Sequence, residues 1–202
     1  LAPLALLLAT VRLVASPVFL WLEYHRPGFP ADRFGFTLAD RMHYGSAGLD
    51  YVTNLAGPRY LSSLTHQGAP LFTEVEVDHM TDVKTVLWIA AAALVVLLVV
   101  CALLIASLLR TSPGGVRRAL FAGAVWLPLA VIALAVLAVL GWETFFAGFH
   151  SLFFADGTWT FSVRDALIRL YPGQFWVDAA VVVGLVTLLA LSKQAEGATK
   201  QP

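Results

Sequence analysis

The chain has 202 residues, 59% hydrophobic and 13% charged, with thirteen basic and thirteen acidic side chains in balance. Soluble domains carry about 25% charged residues and 45–50% apolar ones, so an ordinary soluble domain is excluded, as is a disordered chain, which needs low hydrophobicity and high net charge. Zero net charge leaves no electrostatic footprint for nucleic acid, and a single cysteine, Cys101, precludes an intramolecular disulfide or a cysteine-based zinc site.

Read in chain order, residues 1–24 form the first apolar segment long enough to cross a bilayer core, which needs roughly 20 residues. It contains Arg12. No basic N-region or small-residue cleavage site marks it as a removable signal, so it is read as a retained span. Residues 25–84 follow as an outer loop too long to be structureless, and a small cap is expected there. Within it His25–Pro30 reads as irregular chain, and Leu38–Tyr44 and Gly48–Leu64 as short helices. Leu71–Val77 alternates like a strand. Asp78 is positioned as a helix N-cap at the entry to the second span.

The second span, 85–109, and the third, 119–142, enclose a loop, 110–118, that holds Arg110, Arg117 and Arg118 and no acid. By the positive-inside rule this loop is cytoplasmic, and the tail, 192–202, falls on the same side with Lys193 and Lys200. Segment 143–174 then faces outward, and the fourth span is 175–191, with Asp178 near its start. The expected fold class is an α-helical membrane protein: four transmembrane helices with a small extracytoplasmic cap, mostly helical or irregular with short strands. Both termini are expected on the cytoplasmic side. Twelve of the thirteen acids and all five histidines lie in the outer loops or at span ends adjoining them, so any chemistry is expected outside, against the membrane.

The second outer segment is aromatic. Phe145, Phe149 and Phe153 recur at helical spacing, and Phe146, His150 and Phe154 form the adjacent row. An interfacial belt and an apolar pocket wall both fit these residues, although a belt favours Trp and Tyr. His79 lies at the start of the second span with Asp82 on the same face. A helix N-terminus disfavours a positive charge, which keeps an imidazole neutral, as a general base requires. From these residues alone, a histidine simply hydrogen-bonded at headgroup level is the simpler reading. His150 belongs to the same outer surface, so the two imidazoles can meet. Lys84 and Asp178 sit at that depth and are expected to pair. His25, His43 and His66 read as surface or headgroup-level residues. A zinc site drawn from His79, His150 and Glu76 or Asp82 lacks any HExxH spacing. No phosphate loop, dinucleotide fingerprint or nucleophile elbow is present, so no metal or cofactor is expected.

Three segments together resemble a known family: Asp78-His79-Met80-Thr81-Asp82-Val83-Lys84 leading into a span; Phe149-His150-Ser151-Leu152-Phe153-Phe154 with Trp159 and Phe161 leaving another; and Leu170-Tyr171-Pro172-Gly173-Gln174-Phe175-Trp176-Val177-Asp178 opening the last. They are similar to the bacterial lipoprotein intramolecular transacylases. Residues 25–70 match that family loosely. The resemblance implies an enzyme of the bacterial cytoplasmic membrane with its active site at the extracytoplasmic face. Its reaction moves an acyl chain from the sn-2 glyceryl ester of a diacylated lipoprotein to the N-terminal cysteine amine, giving a lyso-form lipoprotein. The implied partners are that lipoprotein and membrane lipids, with no nucleic acid. The implied catalytic pair is His79 and His150. Asp82, Lys84, Phe146, Phe149, Phe153, Trp159, Phe161, Phe175, Trp176 and Asp178 are implied as substrate-binding. Other readings of the same residues are a histidine-dependent acyltransferase or esterase acting on another lipid, a non-catalytic membrane assembly factor, and a metal hydrolase.

Overall fold

The computed structural model describes residues 1–112 and 114–200, with the side chains of 120–128, 130, 135, 138–139 and 195–200 outside the description. The elements are α1 (Ala2–Val14), α2 (Pro17–His25), α3 (Leu38–Thr53), α4 (Arg59–Ser62), β1 (Thr65–His66), β2 (Ala69–Pro70), α5 (Glu74–Thr111), α6 (Gly115–Leu140), α7 (Trp142–Phe153), α8 (Ala166–Leu170) and α9 (Gly173–Lys200). They fall into two compact units, one of Leu1–Leu13, Ala90–Trp142 and Ala180–Pro202, the other of Val14–Ile89 and Glu143–Ala179.

The first unit is made of apolar helices. Along α5, Val95, Val96, Leu98, Val99, Leu103 and Leu104 are all exposed. A helix apolar on every side is stable only where its surroundings are apolar too, as in a bilayer. At 1.5 Å per residue the 38 residues of α5 span about 57 Å, nearly twice the ~30 Å hydrocarbon core. The charge-free run, 85–109, accounts for the crossing, and the charged first turns, Glu74 to Lys84, stand outside it. Buried Thr187 of α9 donates to the hydroxyl of Thr10 on α1 at 3.4 Å, and Thr10 donates to Leu6 O at 2.9 Å. Small hydroxylated residues let helices approach closely in an apolar medium. Helices α5 and α9 are long and apolar enough to cross a membrane, and the α1–α2 pair would make a third crossing. The remaining expected span, 119–142, falls on α6, half of whose side chains lie outside the described residues. The chain is an α-helical membrane protein.

Four expectations for local structure are corrected. The first apolar segment is not one helix. It breaks after Val14 and restarts at Pro17, where the Ser16 hydroxyl caps Phe19 N at 3.3 Å and proline takes the first helical position. Leu71–Val77 is not a strand, because α5 already begins at Glu74. Its start is a capping box. Thr73 Oγ1 accepts from Glu76 N at 3.3 Å, while the Glu76 carboxylate accepts from Thr73 N at 2.7 Å. Asp78 is therefore the fifth residue of the helix and not the N-cap. The strands that do exist are β1 and β2, joined by Gln67 and Gly68 at φ 52° and 82°. Finally, α3 runs unbroken from Leu38 to Thr53, so the two expected helices merge there and only Arg59–Ser62 stands apart.

The second unit is knitted by polar side chains reaching backbone groups. The Tyr24 hydroxyl donates to Leu170 O, and the Tyr171 hydroxyl to Gly45 O, each at 2.6 Å. Glycine is needed on α3 for these approaches. A Cβ at Gly45 would lie 2.5 Å from the Tyr24 hydroxyl oxygen, and one at Gly48 would lie 2.6 Å from that of Tyr171. Asp32 takes a two-pronged contact from Arg169 at 2.9 and 3.2 Å and accepts from Phe34 N and Phe36 N. Burial alone would raise that carboxyl, but the guanidinium and the two amides outweigh it and hold Asp32 below its usual range.

Candidate functional site

The two histidines singled out by sequence meet in the second unit. Glu76, fully buried, ties the first turn of α5 to α8. Its second carboxylate oxygen accepts from Leu167 N at 2.8 Å. One turn on along α5, His79 points the same way and is 7% exposed. His150 projects from the last turn of α7. The ring centroids are 6.2 Å apart with planes 21° from parallel.

An aromatic wall surrounds the pair. Phe146 of α7 lies 3.9 Å from the His150 ring, and Phe154, just past the helix, 5.5 Å from it. Phe154 also packs edge-on against His79 at 4.9 Å. After α7 the chain turns back at Gly157, at φ 82°, a left-handed conformation that glycine adopts without penalty. That turn brings Trp159 to 5.0 Å from His150 and Phe161 to 5.3 Å from His79. Of the two aromatic rows on α7, the one containing His150 faces the pair. In the other, Phe149 touches His150 at 5.7 Å, but Phe149 and Phe153 remain exposed.

The protonation states follow from these surroundings. Both imidazoles lie outside the charge-free run of α5. Burial pushes His79 down to about 4, and His150 beside it pushes the same way. Burial also lowers His150, against the opposing pull of the Phe146 carbonyl. Both rings are neutral at pH 7. His150 Nδ1 donates to Phe146 O at 2.8 Å, so in the neutral ring the proton sits on Nδ1 and Nε2 carries the lone pair. His79 Nδ1 is buried with no partner among the described residues, and so is Trp159 Nε1. An unpaired buried polar atom costs about 1–3 kcal/mol. Two of them in one aromatic cluster mark a place built to receive a polar group. Trp159 also lines an open cleft of about 620 Å3, with Glu143, Ala147, Gly148, Ser151 and Asp156.

The other sequence-selected residues lie elsewhere. Asp178 does not pair with Lys84. It forms an ion pair with Arg26, which also bonds Glu23 at 2.9 Å, and it accepts from Gln174 at 2.9 Å. Lys84 donates to Ala56 O at 2.5 Å and Asn54 Oδ1 at 3.4 Å and sits 4.2 Å over the Tyr51 ring. Asp82 is exposed and has no hydrogen bond or ion pair among the described residues. Phe175 packs with Phe19 at 5.4 Å and Tyr171 at 5.3 Å, and Trp176 donates to Tyr171 O at 3.1 Å. His25 is exposed and bonded to Trp21 O at 2.8 Å, and His66 contacts the Tyr44 hydroxyl at 3.3 Å. Phe154 touches both imidazoles yet was not among the expected binding residues. Its spacing four after His150 was the available signal.

Comparison with known proteins adds the family. The model for lipoprotein intramolecular transacylase Lit matches residues 1–176. An uncharacterized protein of Aquifex aeolicus (strain VF5) is 31% identical over 183 residues, covering 89% of this chain and 81% of that protein. The in meso structure of the membrane integral lipoprotein intramolecular transacylase Lit from Bacillus cereus superposes with a TM-score of 0.69. At 19% identity, that match covers 98% of this chain and 92% of the other and establishes a shared fold.

Proposed function

This chain belongs to the lipoprotein intramolecular transacylase family, and we propose that it moves an acyl chain from the sn-2 glyceryl ester of a diacylated lipoprotein onto the N-terminal cysteine amine, using His79 and His150. The observation that carries this reading is the pair of neutral imidazoles 6.2 Å apart inside an aromatic wall. At that separation one small group fits within hydrogen-bond reach, about 3 Å, of a nitrogen on each ring.

Donor and acceptor sit on one substrate, so no covalent intermediate with the enzyme is required. The barrier lies in bringing amine and ester together and in moving a proton. Orientation in a confined apolar site supplies up to about 7–11 kcal/mol in favourable cases, and a positioned base adds about 10²–10⁴-fold. His150 takes the base role because Nδ1–H is committed to the Phe146 carbonyl, leaving Nε2 to accept the ammonia-type proton of the attacking amine. As the carbon–nitrogen bond forms and the glyceryl carbon–oxygen bond breaks, that proton passes from Nε2 to the departing oxygen. His79, held neutral, hydrogen-bonds the departing oxygen without adding a charge.

The arginine-bearing loop 110–118 supports placing this site on the extracytoplasmic side, with both termini in the cytoplasm. Lys84 and Asp178 are occupied by structural contacts, and Phe175 and Trp176 pack in a separate cluster, so substrate contact is assigned to Phe146, Phe149, Phe154, Trp159 and Phe161. The test is a synthetic diacylated lipopeptide with a free cysteine amine. Transacylation leaves its mass unchanged and moves one acyl chain to the N-terminal fragment. Release of fatty acid with gain of water would overturn the reading in favour of an esterase.

A further inference from the structure

We propose that the indole N–H of Trp159 is the donor that holds the ester carbonyl oxygen as negative charge builds on it. This assignment rests on the transacylase reading and deepens it. Trp159 Nε1 is buried and unpaired among the described residues. The indole is a donor only, so it is satisfied by an acceptor such as a carbonyl oxygen. Its ring lies 5.0 Å from His150, the base, and lines the open cleft beside α7. His79 Nδ1, in the same cluster, is also buried and unpaired among the described residues. Three nitrogens thus meet three oxygen- or nitrogen-centred demands of one acyl transfer: His150 Nε2 for the amine proton, His79 for the departing glyceryl oxygen, and Trp159 Nε1 for the carbonyl oxygen.

The contrast with Trp176 supports the choice. That indole N–H is already bonded to Tyr171 O at 3.1 Å and has nothing left to offer. In the reaction the amine lone pair forms the new carbon–nitrogen bond and the carbonyl π pair moves onto oxygen, where Trp159 meets it. The pair then returns to re-form the carbonyl as the carbon–oxygen bond to the glyceryl group breaks. The amine proton, carried by His150, ends on the glyceryl hydroxyl. Nothing is oxidised or reduced, and no further reactant is needed.

The experiment compares wild-type enzyme in detergent or lipid with Trp159→Phe and with Trp159 replaced by 3-benzothienylalanine, which keeps the bicyclic shape and lacks the N–H. Each is given the diacylated lipopeptide. Loss of one such donor is expected to lower kcat about 10²-fold, with KM within threefold and the product unchanged. Equal loss in both variants, at unaltered melting temperature, supports the donor role. A benzothienylalanine enzyme as fast as wild type overturns it, because the ring alone would then suffice. Product identity judges the transacylase reading separately. If the wild type hydrolyses the lipopeptide, that reading fails, while the ratio of rates still judges the donor. A second readout uses indole-¹⁵N-labelled enzyme and the N-acetylated lipopeptide, which cannot react. A downfield shift of the Trp159 N–H signal on binding is expected, and an unmoved signal overturns the proposal.

Discussion

Two aromatic clusters in the second unit treat their ring-borne donors differently, although Arg41 Nε, whose guanidinium lies 4.7 Å over the Tyr24 ring, is also buried without a partner among the described residues. Around Tyr24, Tyr171, Phe175 and Trp176, the described hydroxyl and indole donors are bonded: Tyr24 to Leu170 O, Tyr171 to Gly45 O and Trp176 to Tyr171 O. Around His79 and His150, two buried nitrogens have no partner. Most buried polar atoms of a folded protein are bonded. A cluster that leaves them open accepts a cost in stability so that a ligand can supply the missing partner. The difference separates scaffold from site more sharply than aromatic content does.

That separation can be broken by substitution. The largest effect is expected for His150→Ala and His79→Ala, each lowering the rate of lipopeptide transacylation by about 10²–10⁴-fold with little change in melting temperature. Either variant transferring acyl chains at the wild-type rate would remove that histidine from the mechanism. Glu76→Ala should act the other way round. It strips acceptors from Thr73 N, Thr73 Oγ1 and Leu167 N and should cost about 3 kcal/mol of stability, read as a lower thermal midpoint. A smaller loss, about 1–2 kcal/mol, is expected for Tyr171→Phe, which leaves Gly45 O without its donor; kcat of the surviving folded enzyme should hold. Asp178→Asn should do least, within about 1 kcal/mol, because its ion pair with Arg26 is partly exposed.

The pH dependence sharpens the same contrast. A histidine buried neutral has a folded-state value below its unfolded value of about 6.5. The unfolded chain then binds more protons as pH falls, and stability is lost below that value. His79, pushed down to about 4, should therefore contribute a falling stability between roughly pH 6.5 and 4. The rate, measured with substrate saturating, should stay level from pH 8 to 6.5 as far as the enzyme bases are concerned, with its acid limb below 6.5. In His79→Phe the stability decline over that window should be smaller than in wild type. An unchanged decline would assign it to other groups, such as His150, which burial also lowers from 6.5; Asp32, held below its usual range, loses its contribution only at lower pH.

The helical membrane class and the row Phe146, His150 and Phe154 could be read in advance from composition and from period along one helix, while the meeting of His79 with His150 was expected from their shared outer surface and from the family resemblance. What it hid was long-range or competing. Leu71–Val77 alternates as a strand would, but Thr73 and Glu76 cap each other, and a capped helix followed by 25 uncharged residues prevails over a short alternation. Asp178 and Lys84 looked like partners because both sit near span ends, yet Arg26 is the cation that reaches the acid. Gly45 and Gly48 carry no periodic signal. Their need arises only when two tyrosines distant in sequence approach α3.

Helix α5 continues without a break from Glu76 through His79 into its charge-free run, so it works as a ruler. Six residues, about 9 Å at the helical rise, separate His79 from Thr85, where that run starts. Adding a single residue between His79 and Thr85 would lift that ring by about 1.5 Å and swing it about 100° around the axis, taking it out of register with α7. The distance from anchor to chemistry is thus written as a count of amino acids.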